Sequence, residues 1–294
     1  MLLTEKMKED IFSSSEREII DYLFKQRENI KNQTTKQVSQ ETYTHPSTLI
    51  RIAKKLGYGG WIELKNSFLE EIEYLNSHFS SIDANYPFDM KDSIMTVANK
   101  MALLNQTTIN DTLSLINHDD LQRATNMLDK AAHIKIFSMH HNLLICHDFK
   151  LKMNRIGKHV SLCSVDPEFE AVNSNSETCA IVISYSGEGE NIVDVLPFLK
   201  KKEVPVIALT SIGENTLTKF ADCILRITTR ERLYSKIGSF SSNESICYLL
   251  DVLYACVFSK DYKNNLEYKT RISKYIDHRK SSNKVMQEVK HENV

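Results

Sequence analysis

The chain has 294 residues, of which 41% are hydrophobic, and a formal net charge of -1, so it can bury a substantial core and divides more naturally into two domains than one. That balance excludes a globally basic nucleic-acid coat and leaves any such role to a local excess of Lys and Arg. No apolar run reaches the roughly 20 residues that span a bilayer, and residues 1–10 mix charges, so a soluble cytoplasmic protein without membrane partners is expected. Cys146, Cys163, Cys179, Cys223, Cys247 and Cys256 lie in apolar segments without a C-x-x-C pair, as buried free thiols in a reducing compartment do.

In chain order, Ser13, Ser14 and Ser15 offer N-caps, and Ile19, Ile20, Leu23 and Phe24 recur at helical spacing, predicting a helix over 16–28. Thr34 or Thr35 caps a second short helix carrying Val38, and residues 41–44 break it. Pro46 then opens a third helix over 46–56, with Leu49, Ile52, Ala53 and Leu56 facing inward and Gly57 ending it in a left-handed conformation. Two short helices joined by a tight turn and packed on another describe a helix-turn-helix. Residues 31–65 hold Lys31, Lys36, Arg51, Lys54, Lys55 and Lys65 against only Glu41 and Glu63. A third helix in the major groove presents Ser47 and Thr48 to base edges, while Lys36, Arg51, Lys54 and Lys55 reach bases or phosphates. The competing interpretation is a helical interaction module with an ordinary basic face.

The run Thr48-x-x-Arg51-Ile52-Ala53-Lys54-Lys55-Leu56-Gly57-Tyr58-x-Gly60-Trp61-x-Glu63-Leu64-Lys65 resembles the N-terminal DNA-binding domain of RpiR-type bacterial transcription regulators, in which a helix-turn-helix precedes an SIS (sugar isomerase) domain. The resemblance covers about residues 13–71. It departs from the family at His45, where a serine cap is usual, and at Tyr43, a turn position often held by glycine, which points to a rebuilt turn.

A helix over 68–75 extends this domain, and residues 76–89 form a connection with a boundary near residue 80. Residues 90–115 carry Ile94, Val97, Met101, Leu104 and Ile109 as one long helix or two, packed on the second domain or on another subunit. The division expected is 1–77 for the DNA-binding domain, 78–114 for linker and connecting helices, 115–260 for an SIS-like domain and 261–294 for a charged tail that begins as a helix and frays into disorder.

In the second domain His118 or Asp119 caps a helix to Lys130. Strands follow at 134–137, 160–163, 179–184, 204–209 and 223–227, with helices at 143–156, 191–201, 216–220 and 242–258. Strands alternating with helices imply a doubly wound parallel sheet, so the fold class is α/β: an all-α helix-turn-helix domain followed by a parallel-sheet domain. The stretch Ala180 to Glu190 is a buried strand emptying into a polar turn, where free N–H groups can hold an anion.

Ser184-Tyr185-Ser186-Gly187-Glu188 resembles the phosphosugar loop of SIS domains, although Gly189 stands where threonine is usual. The first turn generally carries glycine-x-glycine in that family, whereas this chain has Ser138, His140 and Asn142. The resemblance implies a phosphorylated-sugar effector held by Asn142, Ser184, Ser186, Glu188 and Gly189, and a homodimer or homotetramer on a palindromic operator. Thr210 and Ser211 read as scaffold, Asn215 as a helix cap and Asp166-Pro167 as a turn. His140, His141, Cys146 and His147 lack metal-ligand spacing, and Glu231, Glu244, His140 and His141 form no catalytic dyad, so no metal, cofactor or catalytic residue is assigned. The function expected is a regulator of carbohydrate-metabolism genes; the alternatives are a sugar-phosphate isomerase and a regulator whose degenerate SIS domain serves oligomerisation alone.

Overall fold

The structure, a computed structural model, describes residues 2–76, 82–139 and 141–287. The N-terminal unit is helical: α1 (Leu3–Lys6), α2 (Ser14–Gln26), a 3-10 turn (Arg27–Asn32), α3 (Thr35–Glu41), α4 (Pro46–Lys55) and α5 (Trp61–Asn76). Ile19, Ile20, Leu23, Val38, Leu49, Ile52, Trp61, Leu64 and Phe68 build its core. α5 begins at Trp61, not at residue 68, because Trp61, Leu64 and Phe68 keep helical spacing into that core, while the Glu63 carboxylate accepts the Gly59 N–H at 2.7 Å. α1 is started locally by Glu5, whose carboxylate accepts the Leu2 N–H at 3.0 Å, and anchored at long range by Glu71, whose carboxylate accepts the Leu3 and Thr4 N–H groups at 2.7 and 2.8 Å.

The remaining elements are α6 (Ile94–Ser114), α7 (His118–Lys130), β1 (His133–Ser138), α8 (His141–Asn154), β2 (His159–Cys163), α9 (Pro167–Val172), β3 (Thr178–Ser184), α10 (Glu190–Val193), α11 (Leu196–Lys201), β4 (Val206–Thr210), β5 (Cys223–Arg226), α12 (Phe240–Lys260) and α13 (Tyr262–Ile276), with 3-10 turns at Leu217–Lys219, in place of the helix expected over 216–220, and at Lys284–Met286. The five strands form one parallel sheet in the order β2-β1-β3-β4-β5. β3 shows why both faces are covered: Cys179, Ile181 and Ile183 enter the core beneath α7, α8 and α12, and Ala180 and Val182 the core beneath α9, α10 and α11.

Four details differ from expectation for physical reasons. The helix over 191–201 is split into α10 and α11, with Pro197 in the first turn of the second, since proline cannot continue a helix interior. Asp166-Pro167 starts α9, the place where proline is best tolerated. α7 is capped by Asn117, whose side chain accepts the Asp119 N–H at 2.8 Å. Cys247 is exposed, whereas burial pushes the thiols of Cys146, Cys163 and Cys179 up to about 12 and that of Cys223 to about 11.

α6 is one helix and packs on α12 of the second domain. Thr108 and Thr112 donate to Ser241 and Ser245 at 3.0 and 2.8 Å in the seam. Beside it Arg230 pairs with Asp111 at 3.3 Å, both buried, and donates to the Ile82 carbonyl at 2.9 Å. The connection expected over 76–89 lies partly outside the described residues, as does the end of the tail from 288 on.

Candidate DNA-binding face and effector loop

In the helix-turn-helix, Thr34 and Gln37 form a capping box at the start of α3, with the Gln37 N–H donating to Thr34 Oγ1 at 3.2 Å. α3 ends with Tyr43 at φ 51, its N–H donating to the Gln40 carbonyl at 3.2 Å and the Thr44 N–H to the Ser39 carbonyl at 2.9 Å. These two bonds make a Schellman ending, so the turn keeps its left-handed residue despite the missing glycine. α4 ends the same way at Gly57, φ 89. His45 serves as the cap of α4: its Nδ1 accepts the Ser47 N–H at 3.2 Å.

The expected DNA contacts separate. Ser47 and Lys54 lie exposed on α4 and Lys36 on α3, whereas Thr48 is 5% exposed and points into the core. Arg51 and Lys55 each donate to the buried Glu16 carboxylate at 2.7 Å. The Ser13 N–H adds a bond at 2.8 Å. Burial alone would push the Glu16 carboxyl up, but hydrogen bonds from Lys55, Ser13 and Arg51 outweigh it and hold it at about 2. Arg51 and Lys55 therefore lock α4 to the start of α2, a role not legible in α4 itself.

The second candidate site lies at the carboxyl ends of β1 and β3, adjacent strands between which the strand order reverses. Ser138 joins the two ends by donating to the Ile183 carbonyl at 3.0 Å, and Asn142 sits in the first turn of α8. In the loop after β3, Ser184 Oγ accepts the Gly187 N–H at 3.1 Å and Ser186 Oγ the Glu188 N–H at 3.3 Å. Gly187 has φ +68, and a Cβ there would meet the Asn215 side chain at 2.1 Å. Gly189 caps α10. The Glu188 carboxylate accepts from Thr216 Oγ1 at 2.6 Å and its N–H at 2.8 Å, bonds that lower its pKa. Glu188 therefore ties this loop to residues 211–216. In that segment Glu214 forms an ion pair with Lys6 across a cleft of about 920 Å³ between the two domains.

Among the nominal bases, Glu231 is consumed structurally. Its carboxylate accepts the Ser241 and Ser242 N–H groups at 2.6 and 3.1 Å and Lys236 Nζ at 2.8 Å, capping α12. His140 lies outside the described residues, and no group of three or more metal-ligating side chains occurs among those described.

A helix-turn-helix in line with a doubly wound SIS-type domain defines a two-domain transcription regulator. Residues 1–74 match the helix-turn-helix domain of the rpiR family and residues 127–256 match the SIS domain. The chain belongs to the RpiR-type transcription regulators. It is 25% identical over 284 residues to an HTH-type transcriptional regulator of Caldanaerobacter subterraneus subsp. tengcongensis, covering 92% of this chain and 95% of that one. Its fold is shared with the Vibrio vulnificus NanR protein complexed with ManNAc-6P, at TM-score 0.56 and 18% identity over 94% of this chain and 100% of that one. The sugar isomerase domain of an RpiR transcription factor from Sphaerobacter thermophilus matches at TM-score 0.54 and 16% identity, over 60% of this chain and 98% of that one. No helix among the described residues is long and apolar enough to cross a membrane.

Proposed function

We propose that this regulator binds a palindromic operator as a homo-oligomer in the cytoplasm and senses a phosphorylated sugar at the turns after β1 and β3, without catalysing a reaction. DNA contacts fall to Lys36, Ser47, Lys54 and the exposed side of Arg51; Asn142, Ser184, Ser186 and Gly189 face the effector, and Glu188 organises their loop. The observation that carries this reading is the tight Gly187 turn at the β1/β3 switch point of a chain that also bears a helix-turn-helix with cations on its outer face. The capping role of Glu231 supports a sensor over an isomerase.

The test is calorimetric titration with ManNAc-6P and a panel of hexose and pentose phosphates, beside gel shifts on DNA upstream of the gene at several salt concentrations. Saturable heat with one sugar phosphate, DNA binding that weakens with salt, and no turnover of aldose or ketose phosphates are expected. A second reading, in which the SIS domain serves assembly alone, is favoured by the Ser184 and Ser186 oxygens already accepting loop N–H groups. Absence of heat with every phosphate, with DNA binding intact, selects it.

A further inference from the structure

We propose that Ile50 reads a thymine in the operator by packing on its 5-methyl group in the major groove. A single exposed isoleucine on an ordinary surface needs no explanation. Ile50 is 48% exposed on the helix expected to enter the groove, and it is the only large apolar side chain of α4, among the described residues, that faces solvent. Leu49, Ile52 and Ala53 are fully buried.

Its neighbours decide what it meets. Ser47 precedes it by one turn and Lys54 follows by one, so the three form a single exposed stripe beginning in the N-terminal half of α4, the half that recognition helices point at base edges. α4 contains no acidic residue, and Lys36 and Lys54 make no ion pair among the described residues. The frame around Ile50 therefore suits a polyanion and is unsuited to an apolar protein partner or a second copy of the same basic face. Of the other candidates for base reading, Thr48 is buried and the charges of Arg51 and Lys55 are matched by Glu16, which leaves Ser47 and Lys54 on the exposed face beside Ile50. In the major groove the apolar feature that distinguishes one base pair from another is the thymine methyl, and a branched aliphatic side chain is its natural contact.

This inference rests on DNA binding through α4, and its test separates the two. Duplexes are selected from a randomised library with the wild-type full-length protein, and each thymine of the selected sequence is then replaced in turn by deoxyuridine, which lacks only the methyl group. At one position per half-site the replacement is expected to weaken wild-type binding by roughly threefold to tenfold. Ile50→Ala should bind the two duplexes equally and lose little thermal stability, because the residue is 48% exposed and lies outside the buried core of its domain. Lys54→Ala serves as the contrast: it should weaken all sequences uniformly and keep the thymine dependence. If Ile50→Ala retains the wild-type deoxyuridine penalty at every position, or loses affinity equally for selected and random duplexes, Ile50 is not a base reader although DNA binding stands. Failure of the wild type to select any sequence overturns the DNA-binding surface and this inference with it.

Discussion

Glu16 and Glu231 are the same device in two domains, each a carboxylate with about 1% of its side chain exposed that caps a helix and takes lysine. They differ in where their partners come from. Glu16 gathers Arg51 and Lys55 from 35 and 39 residues away, whereas Glu231 takes Lys236, Ser241 and Ser242 from within 5 to 11 residues. In the first domain a long-range restraint is hidden inside a motif that reads as a DNA-contact helix; in the second, a local cap is hidden inside a residue that reads as a catalytic base. Both show that charge in a suggestive position is functional only after the buried groups facing it have been identified.

Glu231→Ala leaves the Lys236 ammonium and the Ser241 and Ser242 N–H groups without their acceptor, an expected loss of about 3–5 kcal/mol in urea unfolding of the full chain. A variant of unchanged stability that lost only sugar-phosphate turnover would restore Glu231 as a base.

Glu16→Gln comes next and carries a pH signature. The folded carboxyl is held at about 2 against an ordinary value of 4.5, so it stabilises the native state above about pH 4.5, and that stability is lost as pH falls from there towards 2. The difference is on the order of 3 kcal/mol. Glu16→Gln should flatten the stability profile in this window, and it should steepen the salt dependence of non-specific DNA binding as Arg51 and Lys55 are released. An acid limb identical to wild type would place the titrating group elsewhere.

At the sensor loop, Gly187→Ala combines left-handed backbone strain with a Cβ 2.1 Å from Asn215, whose Nδ2 would have to leave Thr210 Oγ1 at 2.9 Å. The expected destabilisation is about 2 kcal/mol, with loss of sugar-phosphate heat in calorimetry. Retained binding would move the effector away from this turn.

Most of the architecture was legible because it is written in local patterns. The β3 run, the Pro46 start and Gly57 stop of α4, and the alternation of strands and helices each follow from neighbouring residues. The site was less legible. Ser184, Ser186 and Gly187 are placed by the loop's own sequence, but Glu188 bonds Thr216, 28 residues on, and nothing near Glu188 indicates that partner. Thr48 was misplaced by the simpler rule that the first helical turn faces the bases; it stands one residue from Leu49, and both turn inward. Lys6 and Glu214 meet only through the packing of two domains.

At Tyr43 fold and function are opposed in one residue. Tyr43 and Gly57 end α3 and α4 with the same pair of backbone bonds, yet Tyr43 is 98% exposed and packs on nothing that would offset its left-handed backbone. Tyr43→Gly should relieve that strain and lose part of the gain to the freer unfolded chain, leaving a net stabilisation of about 0.5–1 kcal/mol. A tyrosine kept at such a cost in the turn leading to α4 is expected to touch DNA, so affinity for a selected duplex should fall as stability rises. A rise in both would assign the turn to folding alone, and a fall in both would mean that the ring stabilises the native turn in a way its exposure does not reveal.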